Sequence, residues 1–155
     1  MPAVDVRFRG ANANDVDAVL ALESTTSLNN WAETDFLRVL SSDNGELRLA
    51  VSGPEILGFV ASSSVIDEVT LLNVAIHGEH RRQGLARRLI TDMLNCRQAV
   101  GARRCLLEVR ESNGGARALY TAMGFVVDGR RPDYYRVGDT REDAVLMSLA
   151  LEADS

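Results

Sequence analysis

The centre of the chain carries a nearly continuous apolar run, EVTLLNVAI at Glu68–Ile76. A strand that is apolar on both faces is typical of a central strand in a sheet covered by helices on each side. An amphipathic helical pattern follows and ends near Val100, with Gly101 as its stop, and a second strand is predicted at residues 104–109. A strand, a helix and a strand in this order form a crossover unit, so the two strands are expected to be parallel.

The other predicted elements lie on both sides of this crossover unit. A length of 155 residues suits a single domain, so residues 1–155 are expected to form one mixed α/β sheet flanked by helices. Ligands of such sheets bind beyond the carboxyl ends of the strands, where helix N-termini also point. The further strands are predicted at 4–9, 46–52, 55–62, 125–128 and 144–151, and the further helices at 14–23, at 31–40 and between an Ser112 or Asn113 cap and Gly124.

Net charge and the few cysteines and histidines narrow the function classes. A net charge of −5 argues against binding nucleic acid over a large surface, although a local basic patch is compatible with it. Residues 1–20 lack the apolar core of a signal peptide and no apolar run is long enough to cross a bilayer, so a cytoplasmic protein without a membrane partner is expected. Cys96 and Cys105 are expected to be small buried hydrophobes, and His77 and His80 have too few partners for a metal site.

Arginines and small residues cluster where the helix after the central strand begins, in the segment HRRQGLARRLI. The first N–H groups of a helix have no intrahelical partners and favour an anion such as a phosphate. Gly84 and Ala86 keep side chains out of the way, while Arg81, Arg82 and Arg87 add positive charge. The dinucleotide fingerprint and the nucleoside-triphosphatase loop are both absent from the sequence. The segment therefore indicates either a phosphate-binding loop of another kind or a solvated, arginine-rich helix start.

The pattern Arg81-x-x-Gly84-x-Ala86 resembles the acetyl-CoA pyrophosphate motif of the GCN5-related N-acetyltransferase (GNAT) superfamily, with Ala86 where glycine is also common. The segments LLNVAIHGEHRRQGLARRLI, LEVRESNGGARALYTAMGF and RRPDYYRVGDTREDAVLMSL resemble the bacterial ribosomal-protein alanine N-acetyltransferases (RimI family) within it. WAETDF resembles the early helix of that family, and the resemblance is strong over residues 68–149. It implies the GNAT fold, a mixed, mostly antiparallel sheet with a splayed parallel central strand pair flanked by helices.

The resemblance also implies where acetyl-CoA, the cosubstrate, binds. The pantetheine arm enters the gap between the two central strands and pairs with main-chain groups of one of them, while the loop before the helix cradles the pyrophosphate. An asparagine after the second central strand binds the amide side of the arm. The residues implied for the cofactor are Val74, Ala75, Ile76, Arg82, Gln83, Gly84, Leu85, Ala86, Arg87 and Asn113.

Two further residues match the catalytic pair of this family, Glu108 and Tyr120. Glu108 would accept the proton of the attacking amine, directly or through water, and partial burial among Leu106, Leu107 and Val109 would raise its pKa toward the range that a base needs. Tyr120 would protonate the leaving thiolate, since ordinary phenol and thiol pKa values of about 10 and 8.5 lie close together. The alternatives are a strand carboxylate paired with an arginine and a tyrosine that only packs.

The sequence offers two kinds of candidate for substrate binding, a pair of tyrosines and several acidic residues. Tyr134 and Tyr135, on a predicted loop between the last strands, resemble the paired tyrosines that flank peptide substrates in N-terminal acetyltransferases. Glu68, together with Glu33 and Asp67, could attract a basic peptide, although scattered acidic residues are more often part of a solvated surface.

The resemblance implies a protein N-terminal acetyltransferase that acts on the N-terminal alanine of a small-subunit ribosomal protein, by direct attack within a ternary complex. No metal and no direct contact with nucleic acid are expected. The alternatives are an N-terminal or lysine acetyltransferase of broader specificity, an acetyltransferase of small-molecule amines, and a non-catalytic CoA-binding module attached to a tRNA-modification partner protein.

Overall fold

The computed structural model describes residues 5–26, 29–81 and 84–151. Within these residues the chain forms helices and strands whose bounds follow. The helices are α1 (Val16–Ser24), α2 (Glu33–Ser41), α3 (Leu85–Ala99) and α4 (Gly114–Ala122). The strands are β1 (Arg7–Gly10), β2 (Gly45–Ser52), β3 (Glu55–Val65), β4 (Glu68–Ile76), β5 (Arg104–Arg110), β6 (Val126–Val137) and β7 (Thr140–Ala150).

The strands of the described residues form one mixed sheet in the order β1-β2-β3-β4-β5-β7-β6. Strand β4 coincides with the apolar run at Glu68–Ile76 and lies at the centre of the sheet. It pairs with β5 in parallel, whereas every other pair in the sheet is antiparallel. The predicted crossover unit and the mixed, mostly antiparallel sheet are therefore confirmed.

Helices cover both faces of the sheet, and the sheet separates two hydrophobic clusters. On one face, which we call the α1–α2 face, Val19 and Phe36 pack against the buried Phe59 of β3. On the other face, α3 and α4 cover a cluster that includes Leu85, Leu89 and Met93 at the four-residue spacing of one helical stripe. Burial of such stripes on both faces is the main source of stability of the fold.

Strands β4 and β5 pair only over their first halves. The register runs from Glu68 opposite Arg104 to Leu71 opposite Leu107 and ends there. On the other edge of β4, a register shift in the pairing with β3 leaves Leu72 as an extra residue. A β-bulge of this kind bends a strand and increases its twist, so β4 turns away from β5 after Leu71.

The last two strands are longer than predicted, and Tyr134 and Tyr135 lie inside β6 rather than on a loop. Pro132, which has no N–H for the ladder, and Asp133 directly precede the two tyrosines. The strand absorbs them in a register shift between Arg131 and Tyr135, with Asp133 at a positive φ of 54°. The prediction of a loop was wrong because a bulge can accommodate residues that break regular pairing.

Differences at the start of the chain are smaller. Residue 4, where the first strand was predicted to begin, lies outside the described residues, and β1 starts at Arg7. A 3-10 turn at Ala13–Asp15 precedes α1, and the side chain of Asn12 caps it by accepting a hydrogen bond from the N–H of Asn14 at 2.9 Å. Among the described helices, none combines the length and the apolar character needed to traverse a bilayer.

Candidate active site

A cleft of about 630 Å³ opens at the point where β4 and β5 diverge. It therefore lies at the carboxyl end of the parallel pair, where ligands of α/β sheets bind. Its walls come from both diverging strands, from α4 and from the β6–β7 ribbon. Polar residues from several of these elements line it, among them Asn73, Glu108, Arg110, Asn113, Tyr120, Arg131 and Tyr135.

The N-terminus of α3 has the conformation and the charge of an anion site. Gly84 is its N-cap with a φ of 74°, a left-handed conformation that glycine adopts far more readily than other residues. The first turn carries no acidic residue, so nothing negative competes with an anion for the N–H groups of Leu85, Ala86 and Arg87. Arg82 and Gln83, predicted for the same loop, lie outside the described residues.

Arg81 connects this loop to the central strand. Its Nε donates a hydrogen bond of 3.1 Å to the carbonyl oxygen of Ile76, the last residue of β4. The guanidinium therefore ties Arg81 to the end of the strand, in addition to supplying positive charge.

The segment Val74–Ile76, predicted to pair with the pantetheine arm, is held from behind by β3, where Phe59 lies opposite Ala75. Gly58 makes this close approach possible, because a Cβ at that position would lie 2.9 Å from the carbonyl oxygen of Ala75. On the other side the pairing with β5 has ended at Leu71, and Val74 lines the cleft. No sequence pattern marks Gly58, since only the distance between the two strands shows why glycine stands there.

Glu108 lies on β5 and lines the cleft. Its neighbours Leu107 and Val109 point into the α3–α4 cluster, so strand alternation directs Glu108 to the α1–α2 face. Its side chain retains 32% of its exposure, and its Oε1 lies 3.4 Å from Nη2 of Arg131 on β6. Arg131 is therefore the arginine partner that the alternative interpretation of Glu108 from the sequence requires.

Tyr120 lies on α4, buried on the opposite side of the cleft with only 5% exposure. Its ring packs against Phe125 with 5.7 Å between the ring centroids. Burial raises the pKa of the Tyr120 phenol to about 12. The ordinary phenol pKa of about 10 lies closer to the thiol pKa of about 8.5 than this value does. The phenol of Tyr120 therefore remains protonated throughout the physiological pH range.

Asn113 is the N-cap of α4. Its side-chain oxygen accepts a hydrogen bond of 3.2 Å from the N–H of Ala116. Because the cap uses the amide oxygen, the Nδ2 group is the donor that Asn113 can offer to the cleft.

The residues predicted for substrate binding divide into two groups. Tyr135 lines the cleft, with the Arg110 guanidinium 4.5 Å from its ring centroid, and the more exposed Tyr134 packs edge-on against it at 5.1 Å. Burial raises the pKa of Tyr135, with the negative charge of Glu108 as a second cause. Glu68 begins β4, at the end of the strand away from the divergence, and its carboxylate lies 3.6 Å from Arg104. The structure does not bring Glu68 to the cleft.

The two cysteines differ in burial. Cys105 is fully buried in β5, as predicted, and burial raises its pKa to about 12, whereas Cys96 on α3 is only partly buried, so the prediction of a buried residue was wrong there. His77 caps a 3-10 turn by accepting a hydrogen bond of 3.3 Å from the N–H of Glu79. The ligand atoms of His77, Glu79 and His80 lie within 4.8 Å of one another, a closer grouping than the sequence suggested. The absence of a metal requirement stays a prediction.

Comparison with known proteins identifies the family. The model of the acetyltransferase (GNAT) family matches residues 16–125. The [ribosomal protein bS18]-alanine N-acetyltransferase of Escherichia coli (strain K12) is 34% identical over 141 residues, which cover 88% of this chain and 92% of that protein. The enzyme of the same name from Haemophilus ducreyi is 33% identical over 138 residues, which cover 88% and 94% of the two chains.

Solved structures agree with this match. The crystal structure of the ribosomal-protein-S18-alanine N-acetyltransferase from Escherichia coli has a TM-score of 0.90 at 28% identity, and the match covers 97% of both chains. Arabidopsis thaliana NAA60 in complex with acetyl-CoA has a TM-score of 0.86 over 95% of this chain and 99% of that one, and at 19% identity it shows likeness of fold alone. With a family match over most of its length and relatives above 30% identity, the chain belongs to the acetyltransferase (GNAT) family.

Proposed function

We propose that the protein is an acetyl-CoA-dependent peptide α-N-acetyltransferase that acts on the N-terminal alanine of a small-subunit ribosomal protein. The observation that carries the proposal is the cleft between β4 and β5, which has a carboxylate and a tyrosine in its walls. The start of α3, the helix that follows β4 in the chain, supports it with N–H groups suited to an anion. The names of the relatives at 34% and 33% identity support the alanine and ribosomal-protein substrate.

The coenzyme would be held mainly by main-chain groups. The N–H groups at the start of α3 bind the diphosphate, and the free edge of Val74–Ile76 pairs with the pantetheine amides. The Nδ2 of Asn113 donates to a carbonyl of the same arm. Bound in this way, acetyl-CoA supplies an activated thioester in the cleft, and a main-chain N–H of Val74–Ile76 is the group that meets the developing oxyanion.

Glu108 is the proposed proton acceptor for the substrate amine, either directly or through a water molecule. An α-amino group has a pKa near 8, about two units below lysine, so a useful fraction is neutral at physiological pH. The Arg131 partner of Glu108 does not prevent this role, because an ion pair between partly exposed side chains is worth about 1 kcal/mol or less. An incoming amine can therefore displace the guanidinium from the carboxylate.

Tyr120 is proposed to donate a hydrogen bond to the departing sulfur. A phenol with a pKa of about 12 keeps its proton at every physiological pH and is always available as a donor. This high pKa makes full transfer of the proton less favourable than it would be from a phenol of ordinary pKa, about 10. The hydrogen bond, rather than proton transfer, therefore stabilises the thiolate. Direct attack in a ternary complex needs no further side chain as a nucleophile.

Turnover of acetyl-CoA with a basic peptide that starts with alanine tests this proposal. The matched control is the same peptide with a blocked N-terminus, and a peptide panel with other first residues measures specificity by mass spectrometry. We expect acetylation at the α-amine of the alanine peptide and none of the blocked peptide. Acetylation of free small amines without any peptide product would contradict the proposal, and modification of internal lysines in the blocked peptide would indicate broader specificity.

Location and assembly stay predictions. A cytoplasmic location agrees with the proposed ribosomal substrate, and the net charge of −5 favours a basic protein over nucleic acid as the partner. A tRNA-modification partner protein rests on the family resemblance alone.

Replacing Gly84 with alanine is expected to raise the KM for acetyl-CoA about three- to tenfold with little change in kcat. A Cβ at this position meets nothing within 4 Å, so the change acts through the left-handed backbone, which disfavours residues other than glycine by about 1–2 kcal/mol. Gly101→Ala is the matched control, because Gly101 has a φ of 108° at the other end of α3. Both variants should lose thermal stability. An equal rise in KM for both would contradict a specific role of Gly84.

Removal of metal ions is expected to leave turnover unchanged. Dialysis against a chelator, followed by the peptide assay, measures this directly, and His80→Ala should give the same kcat and KM as the parent protein. Loss of activity on dialysis that returns with a divalent ion would overturn the prediction and assign the ion to His77, Glu79 and His80.

A further inference from the structure

Three polar side chains form a continuous hydrogen-bonded chain from α1 into the cleft. Glu23 on α1 and Asn73 on β4 are buried, with 1% and 2% exposure. The Oε2 of Glu23 accepts a short hydrogen bond from Nδ2 of Asn73, and Oδ1 of Asn73 accepts one of 2.7 Å from Nδ2 of Asn29. Asn29 is exposed and lines the cleft together with Asn73.

Burial of these polar groups lowers the stability of the folded protein unless their hydrogen bonds compensate. Burial raises the pKa of Glu23, and the hydrogen bonds from Asn73 and from the Thr26 hydroxyl at 3.1 Å act in the opposite direction. A buried polar group is tolerated only where its hydrogen bonds are satisfied, and an apolar side chain of similar size would avoid this cost. A functional role that offsets this cost is therefore expected at the exposed end of the hydrogen-bonded chain, which is Asn29.

The carboxylate sets the direction of every hydrogen bond in the chain. The Glu23 oxygen accepts from Asn73, so Asn73 turns its Nδ2 toward Glu23 and its Oδ1 toward Asn29. Asn29 donates its Nδ2 hydrogen bond to Asn73, so its Oδ1 is the group that it can present to a ligand. A buried acid on α1 thus decides that the exposed amide offers an acceptor to the cleft.

We propose that Asn29 binds N–H groups of the substrate amine through Oδ1, and that Glu23 and Asn73 are positioning residues that fix its orientation. This inference rests on the proposed function, because it requires an amine in the cleft. Glu108 points to the same α1–α2 face as Asn73. A neutral primary amine has two N–H groups and one lone pair. Acceptors at Asn29 and Glu108 would engage both N–H groups and leave the lone pair for the thioester.

Steady-state kinetics with the alanine-starting peptide test the proposal. Asn29→Ala and Asn73→Leu are each expected to raise the KM for the peptide about three- to tenfold, the usual effect of one lost hydrogen bond. The KM for acetyl-CoA should not change. The double variant should resemble either single variant, because both changes remove the same contact, and this non-additivity is a result that a merely structural role would not produce.

A further variant tests the orienting role of Glu23, and another is the control. Glu23→Gln can present either Oε1 or Nε2 to Asn73, so it no longer fixes the direction of the hydrogen bonds, and the KM for the peptide should rise while the KM for acetyl-CoA stays unchanged. Asn44→Ala removes an exposed amide at the start of β2, away from the cleft, and should leave both KM values unchanged.

The outcomes separate this inference from the proposed function. No acetylation of any peptide by the parent protein would overturn both. Normal peptide turnover with an unchanged KM in Asn29→Ala, an exposed position where folding is not at risk, would overturn the inference alone. Additive effects in the double variant, or a rise in the KM for acetyl-CoA that accompanies a loss of thermal stability, would also overturn it, because they would assign Asn73 to structure only.

Discussion

Glu108→Gln is expected to lower kcat with the alanine-starting peptide by about 10²- to 10⁴-fold, the usual contribution of a general base. Glutamine has nearly the same shape but cannot accept the proton, so the cleft and its coenzyme segment at Val74–Ile76 should remain intact. The affinity for acetyl-CoA, measured by calorimetry, is therefore expected to match that of the parent protein. The loss should appear in kcat and kcat/KM together, as for an interaction made in the transition state.

Glu111→Gln is the matched control for this variant. Glu111 is exposed, lies just after β5 and forms an ion pair with Arg130 rather than with a cleft residue. Its replacement should leave kcat within about twofold. Turnover of Glu108→Gln at the parent rate would place the base elsewhere. Equal, negligible rates for the parent protein and for Glu108→Gln would favour a CoA-binding module without catalysis.

Tyr120→Phe is expected to lower kcat by about 10²-fold, because it removes one donor to developing charge from a side chain that is only 5% exposed. Phenylalanine keeps the packing against Phe125 at 5.7 Å and leaves no cavity, so the thermal midpoint should be unchanged or slightly higher. Thr121→Val is the matched control, since it removes an exposed hydroxyl one residue away on α4.

The pH dependence of kcat tests the same role of Tyr120. A raised pKa of about 12 means that the protonated, hydrogen-bonding form persists as pH rises to 10. Over this range we expect activity to rise as the substrate amine loses its proton and then to reach a plateau. A decline centred below pH 10 that disappears in Tyr120→Phe would contradict the buried, protonated phenol.

The elements that the sequence predicted correctly share one property, which is that their signal is local. The apolar run at Glu68–Ile76 requires helices on both sides of it whatever the rest of the chain does. The stripe of Leu89 and its neighbours, with Gly84 before it and Gly101 after it, fixes a helix between two strands, and the crossover then makes those strands parallel. The positions of Glu108 and Tyr120 came from family resemblance, since neither residue stands out by periodicity or spacing.

The contacts around the cleft depended on strand order and register, which no local pattern contains. The order β5-β7-β6 brings Arg131 to Glu108 across 23 residues of sequence, and a bulge after Leu71 decides where the cleft opens. The same long-range packing places Glu68 at the closed end of β4 and joins Glu23 to Asn73, which are 50 residues apart. Sequence patterns thus determined which segments are helices and strands because those follow from the burial of nearby side chains. Only the tertiary structure decided which polar groups meet, because that depends on how distant segments pack together.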